Sequence, residues 1–169
     1  MHPEYFNRKV LPIRNKLFRF ACMLLNDRDE AADAVQEVLM KLWIKKDDLG
    51  KIKNLEAWAI TMIRNLSYDK IRKEKRTRHV PLESGINRED DNSVEVRINR
   101  DERLDNINHY LKELPERQNQ AVFLRDIEGH SYKEISKIMG IDENLVKITL
   151  FRARENLRKK ILKIENYGL

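Results

Sequence analysis

Six basic side chains crowd the nine positions 70–78: Lys70, Arg72, Lys73, Lys75, Arg76 and Arg78. Cations packed so closely suit one kind of chemistry above others, the neutralisation of a phosphate backbone. The same run also serves as the solvated end of a helix, and the stretch alone leaves both readings open. A second cluster lies further on. SYKEISKIMG (131–140) and DENLVKITLFRAREN (142–156) read as a short helix, a tight turn at Gly140-Ile141 and a longer helix. This is the pattern of a helix-turn-helix, whose second helix enters the major groove by its N-terminal part. Asn144, Lys147, Ile148, Phe151 and Arg152 fall on one outward face of that helix. Lys and Arg can donate to guanine acceptors there, while apolar groups touch thymine methyls. Ser131 and Lys133 flank the reading face, and Arg154, Arg158 and Lys159 continue it as phosphate contacts, which position without specifying. The structural alternative is a plain αα-hairpin with a basic surface.

Other chemistries find few residues. His2, His79, His109 and His130 are scattered and have no Cys partner at ligand spacing, so no metal site is expected. No Gly-rich phosphate loop and no catalytic constellation appear. The expectation is a protein without cofactor or small-molecule substrate, and not an enzyme. The single cysteine, Cys22, lies in the apolar stretch FACMLL and reads as a core thiol.

The elements that must hold these clusters are helices. Over 169 residues, Gly and Pro together fill nine positions while 37% of the side chains are charged, which favours an all-α chain. Charge is distributed unevenly: residues 1–78 carry 18 basic and 11 acidic side chains, 79–105 carry 4 and 8, and 106–169 carry 12 and 9. The acidic middle, which holds Asp90-Asp91, has a Pro, a Gly and no helical stripe at its start. The predicted organisation is a helical domain over 1–78, a flexible acidic linker over 79–103 and a second helical domain over 104–169.

In the first domain Pro12 is expected to break or kink an opening helix. Asp27 and Glu30 form the signature of a capping box. Ala31, Ala34, Val35, Val38, Leu39, Leu42 and Trp43 follow at helical spacing, with Trp43 and Trp58 expected in the core. A loop surrounds Gly50, and Asn54 is the next cap. Ala59, Met62, Ile63, Leu66 and Ile71 carry an apolar stripe into the basic run, which makes that run a rigid platform. In the second domain Leu104, Ile107, Leu111 and Leu114 mark a helix ending before Pro115, and a second helix over 116–128 closes at Gly129. Ser131 with Glu134 caps the short helix and Asp142 the last one, whose Val146, Leu150, Ala153, Leu157 and Ile161 point inward.

Three stretches, DAVQEVLMKLW (33–43), AWAITMIRNLSYDKIRKEKR (57–76) and LPERQNQAVFLRDIEGHSYKEISKIMGIDENLVKITLFRARENLR (114–158), resemble the two conserved regions of the extracytoplasmic-function (ECF) group of bacterial sigma factors in the sigma-70 family. The resemblance spans nearly the whole chain, and its most telling details are the Arg152-Ala153-Arg154 triplet and the seven-residue interval from Trp58 to Asn65. It implies reversible binding to core RNA polymerase, at the largest-subunit coiled coil and the flap, and recognition of promoter DNA at −10 and −35 elements with melting near the start site. Two cationic domains on one tether fit such bivalent binding.

Residue by residue, the resemblance implies that Asp33, Gln36, Glu37 and Lys41 meet the polymerase coiled coil. A solvated polar face is the bland alternative for them. The loop 49–54, with Leu49, Gly50, Lys51, Lys53 and Asn54, matches the segment that holds a base flipped from the −10 element. Asn65, Tyr68, Asp69, Arg72 and Lys73 match the adjoining contact helix, with Lys75, Arg76 and Arg78 along the backbone. Lys147, Ile148, Phe151 and Arg152 fall where the family reads the −35 element. The chain departs from common patterns at Asn144-Leu145, at Thr149 and at Ser136, where relatives often carry Ala. Without an apolar run of about 20 residues or a signal peptide, a cytoplasmic protein is expected, with an anti-sigma factor, often membrane-bound, as a further partner. The competing readings are a dimeric helix-turn-helix regulator that acts without polymerase, and an interaction protein such as an anti-sigma factor or adaptor.

Overall fold

The computed structural model describes residues 3–78 and 109–167, and these contain helices and turns but no strand. The chain divides into two compact units, Met1–Glu95 and Val96–Leu169. The expected linker 79–103, together with Leu104 and Ile107, lies outside the described residues.

The first unit is a three-helix bundle of α1 (Pro3–Leu25), α2 (Arg28–Ile44) and α3 (Leu55–Arg78), each packed against the other two. In α1 the stripe Phe6, Val10, Ile13, Leu17, Phe20 and Ala21 is buried at intervals of three and four. Pro12 does not break this helix. A proline inside a helix removes one hydrogen bond and costs about 3 kcal/mol, but Pro12 and Arg8 both face solvent. Water can therefore serve the stranded carbonyl while the buried stripe holds the helix together.

Asn26, with φ of 51°, turns the chain out of α1 in the left-handed region that Asn tolerates. Asp27 then caps α2, accepting from the backbone N–H groups of Asp29 (2.9 Å) and Glu30 (3.0 Å). The other arm of the expected capping box is diverted: the Glu30 carboxylate takes Lys70 of α3 at 3.0 Å. Ala31, Ala34, Val35, Val38 and Leu42 are buried as the spacing predicts, and Leu39 is half-buried. Trp43 is not a core residue. It is 42% exposed and makes a T-shaped contact with Phe6, ring centroids 4.9 Å apart. Trp58 is half-buried.

In the second unit α4 (Glu116–Val122) runs into a π-helical turn, Phe123–Ile127, closed by Gly129 at φ 78°. Next come α5 (Tyr132–Met139) and α6 (Glu143–Tyr167). The capping box at Ser131 and Glu134 forms with both arms, Gly140 ends α5 at φ 66°, and Asp142 caps α6 by accepting from Leu145 N–H at 2.8 Å. Ile135, Ile138 and Met139 of α5 are buried, as are Val146, Leu150 and Ala153 of α6. The expected inward stripe stops there: Leu157 is half-buried and Ile161 is exposed, because α6 outruns the short helices it packs on.

Candidate nucleic-acid interface

The turn between α5 and α6 is held more firmly than a glycine alone would hold it. Ser136 donates its hydroxyl to the Ile141 carbonyl at 2.5 Å, and Ile141 N–H returns to the Ser136 carbonyl at 3.2 Å. This clasp fixes the angle at which α6 leaves the motif. Ser136→Ala should lower the unfolding free energy of the second unit by about 1 kcal/mol, the usual net worth of one hydrogen bond. Urea denaturation followed by circular dichroism measures this, and an unchanged midpoint would remove the clasp from the account.

On α6 the five expected reading residues, Asn144, Lys147, Ile148, Phe151 and Arg152, are all exposed. Phe151 is 67% exposed and Ile148 46%. A large apolar ring left in water on a face of cations is a poor arrangement for a free protein and a good one for a groove lined with thymine methyls. Thr149 is buried on the opposite side, so its departure from relatives does not touch the reading face. Lys133 and Arg158 are exposed, Arg158 lying 3.8 Å from Glu155. Ser131 is exposed, with its hydroxyl oxygen accepting from Glu134 N–H.

Arg154, expected as a phosphate contact, has a carboxylate partner within the chain. Its guanidinium grips Asp126 with two hydrogen bonds, Nη2 to Oδ1 at 2.7 Å and Nε to Oδ2 at 3.2 Å. The bond to Asp126 raises its pKa above the ordinary guanidinium value. Around it Tyr132 collects cations: Arg125 lies 4.7 Å and Lys147 5.9 Å from the ring centroid, and Arg125 also donates to the His130 carbonyl at 2.8 Å. No local spacing in the sequence announces this group, since Asp126 and Arg154 are 28 positions apart.

In the first unit α3 continues through Arg78, so the cationic run stands on a helix. Asn65, Asp69, Arg72 and Arg76 recur every three or four residues on one exposed face, with Tyr68 half-buried beside them. Arg64 covers the Tyr68 ring at 4.8 Å, Arg72 pairs with Asp69, and Arg78 pairs with Glu74 at 2.7 Å. Among the described residues Lys73, Lys75 and Arg76 make no ion pair, which leaves their charge available to phosphate.

The loop 49–54 is mixed. Leu49 was expected to touch DNA, yet only 2% of it is exposed: within a 3-10 turn, Leu49–Lys51, it plugs the bundle, so its side chain cannot meet a base. Gly50, Lys51 and Lys53 are exposed around it. Lys51 donates to Asp48 at 2.7 Å and holds that carboxyl below its usual range. Asn54 is exposed, and its side-chain oxygen accepts from Ala57 N–H at 2.9 Å as the cap of α3.

On α2, Asp33 and Gln36 are exposed, Glu37 is half-buried and Lys41 pairs with Glu37 at 2.8 Å. The helix ends in a feature that the apolar pattern did not single out. Met40, Trp43 and the 77%-exposed Ile44 form an open apolar patch with Phe6 and Leu39. The Lys46 ammonium lies 4.5 Å from the Trp43 ring centroid.

Among the described residues no helix is long and apolar enough to cross a membrane, and no group of His, Cys, Asp and Glu is placed to hold a metal ion.

A cationic helix in one unit and a helix-turn-helix in the other, each recognised separately, define the class. Residues 10–77 match the model for Sigma-70 region 2, and residues 104–157 match Sigma-70, region 4. The chain is 31% identical over 146 residues to the ECF RNA polymerase sigma factor SigM of Bacillus subtilis (strain 168), covering 85% of this chain and 87% of that protein. To the sigma factor SigV of the same organism it is 26% identical over 153 residues, covering 89% and 87%. Its fold is similar to that of the sigma factor RpoE of Bartonella quintana, solved in complex with the anti-sigma factor NepR, with TM-score 0.71, 30% identity and 95% and 98% of the two chains covered. The chain belongs to the sigma-70 family of RNA polymerase sigma factors, within its ECF group. Its function is that of the family: it associates with core RNA polymerase and directs it to promoter DNA.

Proposed function

We propose that the two units divide promoter recognition between them: α3 and the loop before it take and open the −10 element, and α6 reads the −35 element. The observation that carries this reading is the pairing of two unlike cationic surfaces in one chain. One is a helix with Lys73, Lys75 and Arg76 unpaired among the described residues, suited to backbone. The other exposes Ile148 and Phe151 between Lys147 and Arg152, suited to base edges. In the loop, Gly50, Lys51 and Lys53 supply the contacts to a flipped base, and buried Leu49 supports them from below. The polar face of α2, Asp33, Gln36, Glu37 and Lys41, docks on the polymerase coiled coil, and Met40, Trp43 and Ile44 extend that face with apolar area. Such a patch on a protein surface marks an interaction site.

The protein is an initiation factor and not an enzyme, and it works in the cytoplasm with the polymerase. An anti-sigma factor, as in the Bartonella quintana complex, is a fitting regulator. A dimeric regulator acting without polymerase is disfavoured, because it leaves the α2 face and the α3 platform without a task. The deciding experiment is transcription in vitro with core enzyme on a random promoter library. Enrichment of two separated elements is the expected result, and a single symmetric operator would favour the dimeric regulator. Within an enriched promoter, Arg152→Ala should cost about 1–3 kcal/mol at one −35 position. A uniform loss over all sequences would reassign Arg152 to the backbone.

A further inference from the structure

The Asp126–Arg154 pair sits where a carboxylate is least welcome. Lys147, Phe151, Arg154 and Arg158 succeed one another on α6 at intervals of four, three and four, so Arg154 shares the face that carries Lys147 and Phe151. Tyr132 lies under Lys147, its ring centroid 5.9 Å from the ammonium. Both members of the pair stay part-exposed, at 48% and 40%, so the pair is at the solvent boundary and within reach of a docked duplex. An exposed ion pair of this kind adds little to stability. Its bidentate geometry nevertheless commits two of the guanidinium N–H groups and cancels the charge that a phosphate would otherwise meet.

We infer that Asp126 sets the strength of sequence-independent binding at the −35 surface: by holding Arg154, it withholds one cation from the DNA backbone and keeps that binding low. The inference rests on the assignment of α6 to DNA. Sequence-independent affinity comes from counterion release, about 0.9 in the slope of log Kobs against log salt for each neutralised phosphate. Such a contact would strengthen binding to every sequence alike, so leaving it unmade shortens residence on the large excess of competing sites.

The test is the salt dependence of binding of the full chain to a random-sequence duplex, read by fluorescence anisotropy. Asp126→Asn is expected to steepen the slope by about 0.9 and to raise affinity for a −35 duplex and the random one by a similar factor. Asp126→Glu, which keeps a carboxylate for Arg154, should behave as the wild type. Arg154→Gln alone should leave the slope unchanged, and the double variant D126N/R154Q should return to the wild-type value. Three results would each overturn the inference: no steepening in D126N, a steepening that persists in the double variant, or a flattening in R154Q. A persistent steepening would mean a general field effect of the lost charge, and a flattening would mean that Arg154 already sits on phosphate. Circular dichroism of each variant confirms that α6 is intact. If the wild-type chain bound duplex without salt dependence, the assignment of α6 to DNA would fail too, and the wild-type arm shows that before any variant is compared.

Discussion

Leu49→Ala is expected to cost the first unit about 2–5 kcal/mol, the range for emptying a buried leucine site. The cause is local. Leu49 is 2% exposed, in a 3-10 turn between two helices, and its neighbours Gly50 and Lys51 face water. Leu49 is the one fully buried side chain of the loop 49–54, which is anchored to the bundle by it, by half-buried Ile52 and by the Asn54 cap. A three-helix unit of this size has only modest stability to lose. The functional consequence should exceed the thermodynamic one. A loop that holds a flipped base must be set in place beforehand, because the base gives up a few kcal/mol of stacking when it enters. Urea denaturation gives the stability change, and permanganate reactivity of the −10 thymines in the polymerase complex gives the opening defect. Binding of the variant to a −35 duplex should stay at the wild-type level, since the second unit is untouched. Full stability and normal opening in the variant would mean that the plug is dispensable.

The residues that were legible in the sequence are those whose partners lie close in the chain. Asp27, Asn54, Ser131 with Glu134, and Asp142 all cap helices, because a cap is satisfied two or three residues away. The exposed face of α6 was legible for the same reason: one helix period fixes which side chains share its surface. The misses involve distant partners. Arg154 looks like a free cation until Asp126, 28 positions away, is seen beside it. Glu30 completes a capping box on paper and instead reaches across to Lys70. Trp43 has a core residue's character and spacing, yet it lies near the end of α2, where Phe6 and Lys46 cover only part of it. Leu49, in a loop matched to a base-holding segment, proved to be its foundation. Pro12 shows the opposite error. A strong local rule predicted a break or a kink, and a buried stripe on the far face kept the helix unbroken.

Glu37→Lys is expected to weaken association with core polymerase at least tenfold, about 1.4 kcal/mol, while leaving promoter duplex binding and the melting midpoint nearly unchanged. Glu37 is half-buried on α2, and its carboxylate meets Lys41 at 2.8 Å on an otherwise open surface. Loss of that pair costs the isolated helix a few tenths of a kcal/mol at most, too little to disturb Ala34, Val38 and Leu42 on the buried side. At an interface the same change places two lysines one turn apart, where the docking surface offers Asp33 and Gln36 as neighbours. Juxtaposition of like charges across an interface costs several kcal/mol. Ile44→Glu serves as the companion variant. Ile44 is 77% exposed and packs little in the free protein, so its replacement reports on the apolar end of the face without unfolding it. If both variants lose core binding, polar and apolar halves form one docking surface. If only Ile44→Glu does, the contact is centred on the Met40–Trp43–Ile44 patch and the acidic face is solvated. Core affinity measured by competition with a labelled sigma factor separates these outcomes, and full affinity in both variants would move the docking site off α2 altogether.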